Sequence, residues 1–121
     1  MKQINIVNAY IVTNNLIQKD TIPIQGKWIL FKLRKDLLSY YEFYIEESKK
    51  LLNQYEVTQE ESTLKFTNKE FANEYVQKQN KIDNLEVEIN IEKQKCKLSD
   101  IPEITVLQME ALDSFIEFMP E

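Results

Sequence analysis

The sequence predicts an α+β fold, mostly helical, with one long central helix, three shorter helices and a small antiparallel sheet. Three observations predict it. The 121 residues include one glycine, Gly26, and three prolines, so turn-formers are scarce and long regular elements are favoured. Residues 24–55 carry apolar side chains at heptad spacing almost without a break. Residues 85–92, "LEVEINIE", alternate between apolar and polar, the period of a strand with one wet face. The length suits one domain, and no repeat or low-complexity tract divides residues 1–121.

The first helix is expected over 4–18, where Val7, Tyr10, Ile11 and Ile17 fall near helical spacing. Pro23 disfavours the α region for Ile22 and suits the first turn of the next helix. That helix is expected from Ile24 to Tyr55. Leu30, Leu37, Tyr44 and Leu51 repeat every seven residues, and Phe31, Leu38, Ile45 and Leu52 do so one position later. Two adjacent rows make a stripe broader than a two-stranded seam, one that faces two neighbours. "VTQEES" reads as a polar connector and "TLKF" as a short strand. Thr67 and Glu70 form a capping box for a third helix to about Asp83, with Phe71, Ala72, Tyr75, Val76 and Ile82 inward. After the strand at 85–92 the parity of the apolar positions shifts near Lys93, which marks a bulge, turn or strand end. Thr105 and Gln108 form a second capping box. The helix behind it is expected to reach Phe118, with Val106, Met109, Leu112, Phe115, Ile116 and Met119 on the core.

The composition removes several chemistries. There is no histidine, so the commonest general base and metal ligand is missing, and no Ser–His or Cys–His pair can form. One cysteine allows no internal disulfide and, without histidine, cannot build a usual zinc site. One glycine excludes G-x-G-x-x-G and phosphate-loop motifs. No apolar stretch near the N-terminus has signal-peptide character, and none is long enough to span a bilayer. A soluble, cytoplasmic protein is expected, with no cofactor, no bound metal and no membrane partner.

What remains is carboxylates, one thiol, one basic patch and aromatics. Glu86, Glu88 and Glu92 share a strand face; they could hold a divalent cation, but a solvated face is the commoner meaning. Cys96 lies between Lys95 and Lys97, which could lower its pKa, yet a structural role outweighs a reactive one. Lys27, Lys32, Arg34 and Lys35 beside Trp28 could bind nucleic acid, but the patch is short and snorkelling side chains explain it better. Charge is uneven. Eight Lys/Arg against five Asp/Glu give residues 1–55 a net +3, and seven against fifteen give residues 56–121 a net −8. Direct nucleic-acid binding is not expected of such a chain. Its long helix has more apolar surface than the other elements can cover, and the excess suits a dimer seam or a docking groove.

"LSYYEFYIEE", residues 38–47, sharpens that expectation. Its aromatics could be a base-stacking platform or core. The heptad register puts Tyr41 and Tyr44 on the stripe with Leu37 and Leu51, Tyr40 at its border and Phe43 off it. Phe43 is thus the leading candidate for contact with a protein partner, with Tyr40, Tyr44, Glu86, Glu88 and Glu92 as further candidates.

Two stretches, "IPIQGKWILFKLRKDLLSYYEFYIEESKKLLNQYE" and "EVEINIEKQKCKLSDIPEITVLQMEALDSFIEF", carry a resemblance across nearly the whole chain. The pattern is an Ile-Pro before a long helix, a Tyr-Glu-Glu-like end, a "LEVEI" strand, a "KLSDIPEI" segment and a final "LxALxxFI" helix. It resembles a family of small uncharacterised proteins of tailed phages and prophages of Gram-positive bacteria. The resemblance implies a role in the cytoplasm of an infected bacterium and brings no catalytic residues with it. The resulting expectation is a non-enzymatic interaction protein that binds a host defence or phage protein, with inhibition of an antiviral defence such as a CRISPR nuclease as its role. An acidic surface can occupy the basic groove of such an enzyme. The alternative is a head or tail assembly accessory that oligomerises, as a homodimer at the simplest, through its long helix. A carboxylate–metal enzyme and a nucleic-acid binder rank below both.

Overall fold

A computed structural model describes residues 1–55, 57–60, 63–66 and 69–120, with backbone alone at 57–60 and 63–65. Among the described residues four helices carry most of the chain. They are α1 (Gln3–Ile17), α2 (Ile24–Leu52), α3 (Lys69–Asp83) and α4 (Val106–Leu112). Four short strands accompany them: β1 (Val57–Glu60), β2 (Thr63–Phe66), β3 (Gln94–Lys97) and β4 (Ile116–Met119).

The core lies where α1 crosses the first half of α2. From α1 it takes Ile6, Ala9 and Leu16, and from α2 Leu30, Leu33 and Leu37. These positions are three or four apart, so each set forms one face of its helix. Of the residues at helical spacing in the sequence, Val7 is buried and Tyr10 and Ile17 pack against the core, whereas Ile11 is exposed. Thr13 is buried within α1, and its hydroxyl donates to the Ala9 carbonyl at 2.7 Å, which satisfies it. Ile22 closes the turn between the helices. Cys96, Ile101, Leu112, Phe115 and Ile116 close the core from the C-terminal part.

Gly26 permits a close backbone approach. It is buried in the first turns of α2, against the backbone carbonyl of Asp100 in a 3₁₀ turn at Leu98–Asp100. α3 lies along the second half of α2. The Tyr55 ring sits 5.7 Å from Phe71, 6.2 Å from Phe66 and 6.4 Å from Tyr75, joining α2's end, β2 and α3 in an aromatic cluster.

The helical content and the long second helix agree with the sequence reading; the sheet does not. In the body of the protein β3 and β4 pair in parallel, Gln94 opposite Ile116 and Cys96 opposite Phe118. The 3₁₀ turn and α4 form the crossover that parallel pairing requires. Among the named strands antiparallel pairing occurs in the β1–β2 hairpin, Val57 opposite Phe66, and one isolated antiparallel bridge joins Lys2 to Glu86. Val57–Glu60, read as part of a polar connector, is therefore a strand.

Residues 85–92 form no ladder. One bridge joins Lys2 to Glu86, and Gln3 N–H donates to the Leu85 carbonyl at 2.9 Å. The alternation holds from Glu86 onward: Val87, Ile89 and Ile91 pack on the core while Glu86, Glu88, Asn90 and Glu92 are exposed; Leu85, also read as inward, is exposed. Periodicity reports a buried face and is silent about a partner strand. The parity shift near Lys93 is also present, since Gln94 and Cys96 turn inward where β3 begins.

The capping box at Thr105 forms as expected. Its hydroxyl accepts from Gln108 N–H at 3.1 Å, and its own N–H donates to Gln108 Oε1 at 2.8 Å. The helix behind it stops at Leu112, not Phe118, and Val106 points to solvent. Leu112, Phe115, Ile116 and Met119 fit helical spacing, but Ile116–Met119 also fits a strand, and pairing with β3 decides the outcome. α2 ends at Leu52, before the expected Tyr55. The Thr67 capping box lies outside the described residues. Within α3, Ala72, Tyr75 and Ile82 are half-buried, whereas Phe71 and Val76 are exposed.

Candidate interaction face

The second heptad row of α2 is uncovered over its first half, while Ile45 and Leu52 are half-buried. Phe31 and Leu38 are exposed, and Ile24, one heptad before Phe31, is 79% exposed. Trp28, four residues after Ile24, is 56% exposed. Ile24, Trp28 and Phe31 fall on one helix face by their spacing. With Ile17 at the end of α1, Gln25 and Lys27, they line an open, almost wholly apolar hollow of about 600 Å³. The Trp28 and Phe31 rings stack at 5.8 Å and 22°. Lys32 Nζ stands 5.7 Å from the Trp28 ring centre, a cation–π distance.

A second hollow, about 820 Å³, adjoins the first and shares Gln25, Trp28 and Phe31 with it. Its far wall is charged. Lys32 and Lys35 come from α2, and Lys93 and Lys95 from the approach to β3 and its start. Asp36 and Glu92 stand among them. The fold thus extends the basic patch read in α2 by two lysines from a distant stretch of chain.

The sequence-predicted contact residues are scattered. Phe43 is 46% exposed, as its register implied. Tyr40 is half-buried and packs on the core. Tyr41 stacks on Tyr10 of α1 at 4.1 Å and 16°. Tyr44 is tied to α3: its hydroxyl donates to Asp83 Oδ1 at 2.8 Å and accepts from Gln79 Nε2 at 3.3 Å. Burial first, then the Asp83 carboxylate, push this phenol up to about 12. The three strand-face glutamates also part company. Glu86 lies 3.1 Å from the Met1 nitrogen, Glu92 lines the basic hollow, and Glu88 is exposed. Among the described residues no group of three His, Cys, Asp or Glu could hold a metal ion.

Cys96 is buried, and burial, with Asp100 nearby, pushes its thiol up to about 11. The flanking lysines point outward and do not activate it. No helix among the described residues is long and apolar enough to cross a membrane.

Sequence reasoning anticipated surplus apolar surface on the long helix, but named Phe43, off the stripe, as the leading contact, and not Ile24, Trp28 and Phe31. The missed signal was available: Ile24 extends the Phe31–Leu38–Ile45–Leu52 row by one heptad. In comparison with known proteins, no family model, no curated protein and no solved structure matches the chain.

Proposed function

We propose that the protein is non-enzymatic and acts by docking on another protein, as an inhibitor of an antiviral defence in a phage-infected bacterium. The observation that supports docking is the solvent-facing cluster of Ile24, Trp28 and Phe31, gathered on one face and rimmed by lysines. Large apolar side chains clustered in the open mark an interaction surface, whereas single ones do not. Aromatic anchors beside cations are also the usual centres of interface energy. The setting comes from the resemblance of the long-helix and C-terminal stretches to small phage proteins.

The test is affinity capture from infected cells, followed by mass spectrometry, with wild type and a Trp28→Ala, Phe31→Ala variant side by side. A host nucleic-acid enzyme that wild type captures and the variant loses supports the reading. Recovery of virion components alone rejects it in favour of the second reading, an assembly accessory. One observation favours that alternative: the uncovered row runs along the longest helix, Ile24, Phe31 and Leu38 all exposed, as an oligomer seam would be.

A further inference from the structure

We infer that the chain pairs with a second copy of itself, the cationic apolar face of α2 receiving the acidic apolar face of α4. This rests on the reading of the α2 stripe as a docking face and names an occupant for it. The α2 face asks for two things: bulky apolar side chains for the hollow around Trp28, and negative charge for Lys32, Lys35, Lys93 and Lys95.

Nucleic acid meets that request poorly. The Trp28 ring already has Phe31 at 5.8 Å and Lys32 at 5.7 Å, which crowds it against a stacked base. The apolar hollow offers almost no polar surface with which to read a base edge.

The matching chemistry is on the chain itself. Val106 and Leu107 of α4 are 65% and 77% exposed, among the most exposed large apolar residues of the molecule. Carboxylates stand beside Val106: Glu110, Asp113 and Glu117 line a hollow with it, which Lys93 also borders, and Glu103 precedes the helix. Trp28 and Leu107 both remain exposed, so the two faces do not cover each other within one molecule. Because the faces differ, the contact is head to tail, and it closes only when a second such contact completes a ring. The lysines of one face and the carboxylates of the other give the pairing its polarity.

Light scattering of the full chain from micromolar to millimolar concentration at low salt tests this. The mass is expected to rise above the 14.5 kDa of one chain and to fall back as salt screens the charges. Lys32→Glu with Lys35→Glu, and separately Glu110→Lys with Asp113→Lys, should each give a monomer. An equal mixture of the two should form a complex of twice the mass, because one supplies an intact acidic face and the other an intact basic one. Leu107→Glu, at a solvent-facing position, should also give a monomer, and circular dichroism checks that every variant is folded. A wild type that stays at 14.5 kDa at millimolar concentration overturns the inference. So does association that survives the reversals, or a mixture that stays monomeric. Failure here leaves Trp28-dependent capture of another protein standing, and failure of that capture leaves the mass measurement unaffected.

Discussion

Replacing Gly26 by alanine separates helix propensity from packing. In a solvent-exposed helix interior the change stabilises by about 1 kcal/mol, since alanine loses less backbone entropy. Gly26 has no room for it. An added Cβ would overlap the Asp100 carbonyl oxygen, come within 2.9 Å of its carbon and meet Ile22 Cγ2 at 3.0 Å. Two of those atoms are backbone and cannot rotate away, so α2 and the 3₁₀ turn must separate. Overpacking of this kind costs about 1–3 kcal/mol, and a forced backbone shift belongs at the upper end. Set against the propensity gain, the expected net loss is about 2 kcal/mol. Thermal unfolding by circular dichroism should show a midpoint lower by roughly 5–10 °C for a domain of this size. Gly26→Val should fall further, because the larger side chain meets the same wall. A variant as stable as wild type, or more so, would show that the α2–turn contact is not the tight one described and would remove the reason for the chain's single glycine.

The remaining expectations concern the groups with shifted proton affinities. Tyr44→Phe removes a donor to Asp83 and an acceptor from Gln79, so urea unfolding should show a loss of about 1–2 kcal/mol, and no loss would mean the α2–α3 clasp is idle. The phenol is held protonated in the folded state, to about 12 against an ordinary 10. Its contribution is therefore complete below pH 10, declines as pH rises from 10 to 12 and is flat above; Tyr44→Phe should lack that decline. The Cys96 thiol, buried and raised to about 11, should resist alkylation at pH 8 until denaturant is added, and rapid labelling of native protein would refute its burial.

The parts legible in the sequence are those that one periodicity determines. Leu30 and Leu37 are core because the heptad demands a single inward face, and the same register split the aromatics of "LSYYEFYIEE" correctly, with Phe43 outward and Tyr41 and Tyr44 against neighbours. The Thr105 cap was legible because both its hydrogen bonds are local. The errors fall where two periods fit the same residues and a distant segment chooses. Ile116–Met119 satisfies both helix and strand spacing, and Cys96 and its neighbours draw it into a parallel pair. Residues 85–92 have the strand period without a partner to ladder with. The α2 site was half legible: its basic residues and Trp28 are adjacent in sequence, but Lys93 and Lys95 reach it only through the fold.

Why α2 leaves one face open follows from lengths. At 1.5 Å per residue α2 runs about 44 Å, and the 15-residue helices α1 and α3 run about 22 Å each. Each can cover about half of α2, and each covers one side of its half. The burial follows that division. Leu30, Leu33 and Leu37 are deeply buried, chiefly against α1, while in the half beside α3 only Leu51 is. Both heptad rows would need neighbours on two sides, and four short strands and a seven-residue α4 do not supply them. The row from Ile24 through Leu38 is therefore left apolar and uncovered by the fold itself. Exposed single leucines need no explanation, but a heptad row kept apolar where the fold leaves it wet does. On the docking reading proposed above, a second surface would supply the missing neighbour.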